Sequence, residues 1–379
     1  MTHHRSRLSA ALPDFPWDSI AEDRERAKSH PDGLVDLSVG SPVDSVAPSI
    51  QLALSEAAAE PGYPTTAGTP ELVDAIVESL SRRYGVEGLS TSAVLPVVGT
   101  KEAIAWLPTL LGLGRGELAE ATVIIPPLAY PTYEVGARLA GVDVVRSENP
   151  ARDERDLSGA GLIYLNSPSN PTGKVLEPEV LEEIVSWARE NDVVVASDEC
   201  YLGLNWDQSR PARSILDPAV SGGSFEGLIA IHSLSKTSNL AGYRAGFFAG
   251  DEELIAELRL LRKHAGLIVP GPIQAAMVAA LNDDDQEHLQ KLRYANRRAD
   301  LARALGEAGL AIADSTGGLY LWATRGESGR DTVSWLADLG IIAAPGDFYG
   351  PDGERFVRFS LTATDEAISE AYRRLSAAK

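Results

Sequence analysis

HSLSKTSNLAGYRAGF, residues 232–247, places one lysine, Lys236, among three serines and a threonine, with Arg244 eight residues on. It is entered from LIAI (228–231) and left through AGFFAG (245–250), two short apolar runs of the kind that form buried strands. Lys236 is therefore expected in a polar loop between two core strands, where rigid elements hold side chains in place for chemistry. The plainer alternative is a solvated surface lysine, and the rest of the chain decides between them.

The alternation extends in both directions. AVLPVVG (93–99), ATVIIPP (121–127), VDVVR (142–146), GLIYLN (161–166) and DVVVASDE (192–199) read as strands. PELVDAIVESLSRRYG (70–85), TKEAIAWLPTLLG (100–112), PTYEVGARLAG (131–141), VLEPEVLEEIVSWAREN (175–191) and DEELIAELRLLRKHAG (251–266) read as amphipathic helices. Strands and helices taking turns predict an α/β fold, a mainly parallel sheet sandwiched by helices. Ligands of such sheets bind beyond the carboxyl ends of the strands. After about residue 275 the texture changes. A long polar helix (283–309) is followed by strands at GLYLWATR (318–325) and RFVRFSL (355–361), with a helix between them at DTVSWLADLG (331–340). That is an α+β unit. The expected organisation is an N-terminal arm (1–40) packing with a small C-terminal domain (276–379), and a large domain at 41–275.

Bulk properties narrow the class. The chain has 379 residues and a net charge of −20, which disfavours nucleic-acid or anionic-membrane partners. Its single cysteine, Cys200, cannot form an internal disulfide, as suits a reducing compartment. No leader-like or membrane-length apolar run is present, so a cytoplasmic protein is expected. His3 and His4 lack acidic or cysteine partners at ligand spacing, and no metal site is expected.

The strand ends carry the chemistry. After AVLPVV come Gly99, Thr100 and Lys101, opening a helix; after GLIYL comes NSPSNPTG with Asn166 and Asn170. Asp198 and Tyr201 follow DVVVAS, Ser233, Ser235 and Lys236 follow LIAIH, and Tyr130 follows TVIIPP. Each group alone reads as a cap or a turn. Together they suit a phosphorylated aromatic aldehyde. Backbone amides at the Thr100 helix start, with the hydroxyls of Thr100, Ser233 and Ser235, suit a phosphate. Arg244 adds a charge-assisted fork. Asp198 would pair with a protonated ring nitrogen, Tyr201 and Asn170 with a phenolate oxygen, and Tyr130 would offer a flat face. Lys236 would supply the amine of a Schiff base.

These motifs resemble those of the pyridoxal-phosphate aminotransferases of class I/II, with the aspartate-aminotransferase-like fold (fold type I of the PLP-dependent transferases). The matching segments are GYPTTAG (62–68), GTKEAI (99–104), NSPSNPTG (166–173), SDECY (197–201), SLSK (233–236) with Arg244, and RFS (358–360). The resemblance implies pyridoxal 5′-phosphate as cofactor, with Lys236, Asp198 and Tyr201 catalytic. It places Thr100, Lys101, Ser233 and Arg244 near the phosphate. It implies that Arg358 forks the substrate α-carboxylate, with the Gly40 backbone meeting the same group. It also implies that Tyr63 reaches the phosphate of a neighbouring subunit, so that a homodimer shares its active sites. Cys200 is expected to be a packed residue rather than a nucleophile.

A finer likeness covers LPDFPW (12–17), PGYPTTAGTPEL (61–72), RKHAGLIVPGPIQAAMVAAL (262–281) and APGDFYGP (344–351). There the chain is similar to the actinobacterial N-succinyl-L,L-diaminopimelate aminotransferases. That implies amino transfer between glutamate and N-succinyl-2-amino-6-oxopimelate in lysine biosynthesis. Trp322 and the loop 345–350 are expected as walls of the side-chain pocket. The alternatives are another amino-acid aminotransferase, a carbon–sulfur lyase on the same fold, and a non-catalytic domain of a transcriptional regulator. The last is disfavoured because the chain shows no basic DNA-binding module.

Overall fold

The computed structural model describes residues 8–13 and 16–378. The expected arm thus includes residues 1–7, 14 and 15, with His3 and His4, which lie outside the described residues. Strand β1 (Val35–Asp36) comes first. Seven strands follow: β2 (Val94–Val98), β3 (Thr122–Ile125), β4 (Val144–Arg146), β5 (Ala160–Asn166), β6 (Val194–Asp198), β7 (Leu228–Ser233) and β8 (Ala245–Gly250). They form one sheet in the order β2-β8-β7-β6-β5-β3-β4. All its pairings are parallel except the two made by β8. A parallel crossover needs a dozen or more residues, usually with a helix. Residues 234–244 contain only a single helical turn and a 3-10 turn, so β8 folds straight back beside β7.

Both faces of the sheet are covered. In β5 every residue is buried, and alternate side chains serve opposite sides: Ile163 and Leu165 join one apolar cluster, Leu162 and Tyr164 another. The helix Pro178–Glu190 shows how the cover forms. Pro178 at its first turn is pre-set for helical φ. Leu181, Ile184, Val185 and Ala188 then make a buried stripe at helical spacing. Burying a Leu, Ile or Val fully contributes about 1.5–3 kcal/mol each.

A four-stranded sheet in the order β12-β13-β10-β9 is built from β9 (Ala311–Ala313), β10 (Tyr320–Thr324), β12 (Ala344–Pro345) and β13 (Val357–Ser360). Strand β11 (Ile341–Ile342) pairs in parallel with β1. A third apolar cluster unites Val35, Leu37, Leu321, Ile341, Val357 and Phe359. The boundary expected at 275/276 falls inside the helix Gly271–Asn282. That helix escaped the sequence reading because GPIQAAMVAALN is apolar on nearly every face and shows no helical period. The expected loop around Lys236 is also corrected. Leu234–Thr237 is one helical turn, and Ser233 caps it by accepting from the Ser235 N–H at 3.1 Å.

One polar clamp ties the segment carrying Gly40 to the C-terminal unit. Arg297, on the helix Asp284–Glu307, donates to both Asp44 oxygens at 2.7 and 2.8 Å and to Asp365 at 2.6 Å. Burial alone would raise the Asp44 pKa, but hydrogen bonds from Arg297 and Gln290 outweigh it and hold the carboxyl below its ordinary value. A depressed carboxylate contributes stability above its unfolded pKa, and that contribution is lost as pH falls through the folded value. Asp44→Asn is expected to lower unfolding stability by about 1–3 kcal/mol at pH 7, less than a fully buried pair because Arg297 keeps Asp365. Urea unfolding at pH 7 and pH 3 checks this, since the deficit should shrink at the lower pH. A deficit equal at both would show that the carboxylate charge is not its source.

Candidate active site

The carboxyl ends of β5 and β6 are level, because Asn166 pairs with Asp198, and β7 runs on to Ser233 past Ile231, the partner of Asp198. A cavity of about 280 Å³ opens there. Asp198 lines it and is 5 % exposed. Tyr133 donates its hydroxyl to Asp198 Oδ2 at 2.8 Å, and the Cys200 N–H donates to Oδ1 at 3.2 Å. Burial raises the Asp198 pKa, while these donors and His232 pull it the other way. Asn166 donates to the Asp198 carbonyl at 2.8 Å and accepts from the Asn170 N–H at 2.7 Å, which fixes two strand ends to each other.

Gly99, Thr100, Ser233, Ser235 and Arg244 come together on one side. Gly99 has φ +77°, and a Cβ there would collide with the Arg244 guanidinium. Arg244 itself sits in the left-handed region at φ 59° and donates to the Ala241 carbonyl at 2.8 Å. Non-glycine residues hold that conformation only where the surroundings demand it, commonly at ligand clamps. Thr100 and Lys101 start the helix Thr100–Leu110, and both line the cavity. Tyr130 lines it too, with burial pushing its phenol up to about 12. Lys236 Nζ enters the same space and donates to the Gly40 carbonyl.

Arg358 lies opposite, on β13, and is 3 % exposed. It donates to Asn170 Oδ1 at 2.8 Å and to the Ser38 carbonyl at 2.7 Å. Its guanidinium carbon is 3.9 Å from the Tyr320 ring centroid and 5.0 Å from that of Tyr349. No carboxylate pairs with it among the described residues, and its Nε has no hydrogen-bond partner there. A buried cation without a counter-charge is costly to hold. Surroundings of this kind fit an anion arriving from outside.

Of the thirteen residues assigned from sequence to catalysis, the cofactor or the substrate carboxylate, twelve line this one cavity; the other is Tyr63, whose ring is fully exposed and does not line it. Trp322, expected as a pocket wall, is buried instead against Phe356 and Tyr349. The cavity also takes in Trp17, Val39, Ser41, Cys200 and Tyr320, none of which the sequence reading had placed at the site. Burial raises the Cys200 thiol well above its ordinary pKa, which suits packing rather than nucleophilic attack. Among the described residues no group of three or more His, Cys, Asp or Glu side chains is placed to hold a metal ion, and no helix is long and apolar enough to cross a membrane.

The donor set fits a phosphorylated pyridine aldehyde. Asp198 is a buried carboxylate that forms no ion pair among the described residues, and Gly99, with no Cβ, clears room for Arg244 beside the hydroxyls. A mainly parallel sheet with a lysine, an aspartate and a cluster of hydroxyls beside an arginine at its strand ends fits the PLP-dependent transferases of fold type I. Within that class the chain belongs to the aminotransferase class I and II family, whose model matches residues 32–375 and whose members depend on pyridoxal 5′-phosphate. It is 59 % identical over 372 residues to a probable aminotransferase of Mycobacterium tuberculosis, covering 98 % of this chain and 87 % of that protein. It is 53 % identical over 365 residues to the 4-dedimethylamino-4-oxo-anhydrotetracycline transaminase OxyQ of Streptomyces rimosus, covering 96 % of this chain and 99 % of the relative. Among solved structures it resembles a probable N-succinyldiaminopimelate aminotransferase of Thermus thermophilus, with TM-score 0.85 and 28 % identity over 96 % of this chain and all of the other.

Proposed function

We propose that this aminotransferase moves an amino group from glutamate to N-succinyl-2-amino-6-oxopimelate, giving N-succinyl-L,L-diaminopimelate, by a ping-pong cycle. The observation that carries the α-amino-acid reading is Arg358, a buried arginine that pairs with no carboxylate among the described residues and shares a cavity with Lys236. The particular acceptor is supported by the likeness to the Thermus thermophilus protein and by the motifs above.

The geometry supports the following residue roles. Bound pyridoxal phosphate supplies the electron sink that makes a substrate Cα–H acidic. Asp198, buried and oriented by the Tyr133 hydroxyl, would hold the proton of the ring nitrogen. Thr100, Lys101, Ser233, Ser235 and Arg244 would hold the cofactor's phosphate, Tyr130 would lie against its ring, and Tyr201 and Asn170 would hydrogen-bond its phenolic oxygen. Arg358 orients the substrate carboxylate with the Gly40 backbone beside it, and Lys236 moves the proton at Cα. Tyr63, fully exposed in this chain, is suited to complete the phosphate site of a second copy.

A second reading is favoured by the 53 % identity to OxyQ: a ring ketone of the oxo-anhydrotetracycline type as acceptor. With glutamate taken as the donor in both readings, only the second half-reaction separates them. With the cofactor converted to its amine form by glutamate, the succinylated oxopimelate is expected to show the highest kcat/KM in a panel of oxo acids and ring ketones. A preference for the ring ketone would reverse the choice. Steady release of pyruvate and ammonia from a β-substituted amino acid, without a glutamate half-reaction, would instead indicate a lyase.

A further inference from the structure

Tyr320 opens β10 opposite Ser360, and two residues further on Trp322 faces Arg358 across the same strand pair. Positions i and i+2 of a strand share a face, so Tyr320 stands on the side from which Arg358 projects. The Arg358 guanidinium carbon lies 3.9 Å from the Tyr320 ring centroid, and both residues are 3 % exposed. The Tyr320 hydroxyl is 3.2 Å from that of Tyr201. It also lies so close to Gly40 that no Cβ fits there, and the Gly40 carbonyl accepts from Lys236. One side chain thus meets the carboxylate-facing arginine, the cofactor-facing tyrosine and the backbone that receives the lysine.

We propose that Tyr320 is a positioning residue with two separable tasks: its ring holds the Arg358 guanidinium ready for a carboxylate, and its hydroxyl holds the Tyr201 hydroxyl. The inference rests on the reading of Arg358 given above. The first task follows from electrostatics. A buried guanidinium needs some compensation for lost water, and a π face gives it without occupying the N–H groups that an incoming carboxylate requires. An acidic side chain in the same place would occupy them. The second task follows from the two phenols. Burial opposes ionisation of Tyr320, but Arg358, Lys236 and the bond to Tyr201 together outweigh it and set its pKa below the ordinary value. Tyr201 is pushed well up, by burial first and then by its neighbour. Tyr201 therefore keeps its proton, and Tyr320 fixes where that hydroxyl points.

The test uses the holoenzyme in wild-type, Tyr320→Phe and Tyr320→Leu forms. Calorimetry measures the Kd for succinate, an unreactive dicarboxylate, and stopped flow gives kcat and KM for the glutamate half-reaction with the visible spectrum of the bound cofactor. Tyr320→Phe keeps the ring, so its succinate Kd should stay within about threefold of wild type, while kcat falls about tenfold or more and the cofactor band shifts. Tyr320→Leu loses both tasks, and its Kd should weaken by about tenfold or more as well. If the leucine variant does not fold, Tyr320→Met removes the ring in its place. A phenylalanine variant with wild-type kcat and spectrum would overturn the hydroxyl's task, and a ringless variant with unchanged Kd would overturn the ring's. Wild-type protein that fails to bind succinate would overturn the reading of Arg358 itself, and this inference with it.

Discussion

Lys236→Ala is expected to abolish turnover, with the glutamate half-reaction slowed by at least roughly 10⁴-fold, the upper end of what one positioned acid–base group contributes. The reasoning is geometric. Lys236 sits on the single helical turn after β7, and its Nζ enters the cavity that Asp198, Tyr201 and Arg358 also line. Among the described residues its side chain makes one hydrogen bond, to the Gly40 carbonyl, so its removal should leave the fold intact. Borohydride reduction and peptide mapping of the wild-type protein should find the cofactor attached at position 236, and the variant should carry no such adduct. A variant that keeps more than about one per cent of the wild-type rate would be incompatible with this role, because no positioned group of comparable basicity would replace it.

Arg358→Leu should produce the next largest loss. Hydrogen bonds to charged groups contribute about 1.5–3 kcal/mol each, so a two-point fork supplies about 3–6 kcal/mol, or about 10²–10⁴ in kcat/KM for glutamate. Arg358→Lys should recover only part of this, since an ammonium cannot reproduce the planar fork. The decisive comparison is between an amino acid and the matching amine without its carboxylate. The amine should react equally slowly with wild type and variant, whereas the amino acid should lose its advantage. Equal losses for both would mean that Arg358 supports the local packing of Tyr320 and Tyr349 and does not bind substrate.

Much of this site was legible in the linear sequence because its groups sit where short apolar runs stop. Asp198 ends VVASD, Ser233 ends LIAIHS and Asn166 ends AGLIYLN. A parallel sheet brings those ends to one edge whatever the loops do. Arg358 was legible through strand alternation, since Val357 and Phe359 had to face the core. The turn bearing Lys236 was misread as a loop because four residues are too few to show a helical period. Tyr133 lies on a helix face whose partner, Asp198, is 65 residues away, and no local pattern announces such a bond.

The succession of strand, polar end and helix was written in residue order, because side-chain periodicity and strand length are local properties of the chain. So were the alternation that singled out Arg358 and the run of hydroxyls around Lys236. Which strands pair is a different matter. The antiparallel return of β8, the joining of β1 to β11 and the register that sets Tyr320 beside Arg358 depend on contacts between residues far apart in the chain. The arrival of Trp17 at the cavity depends on them equally. Those contacts form only when separate apolar faces are buried together, and tertiary packing alone decided them.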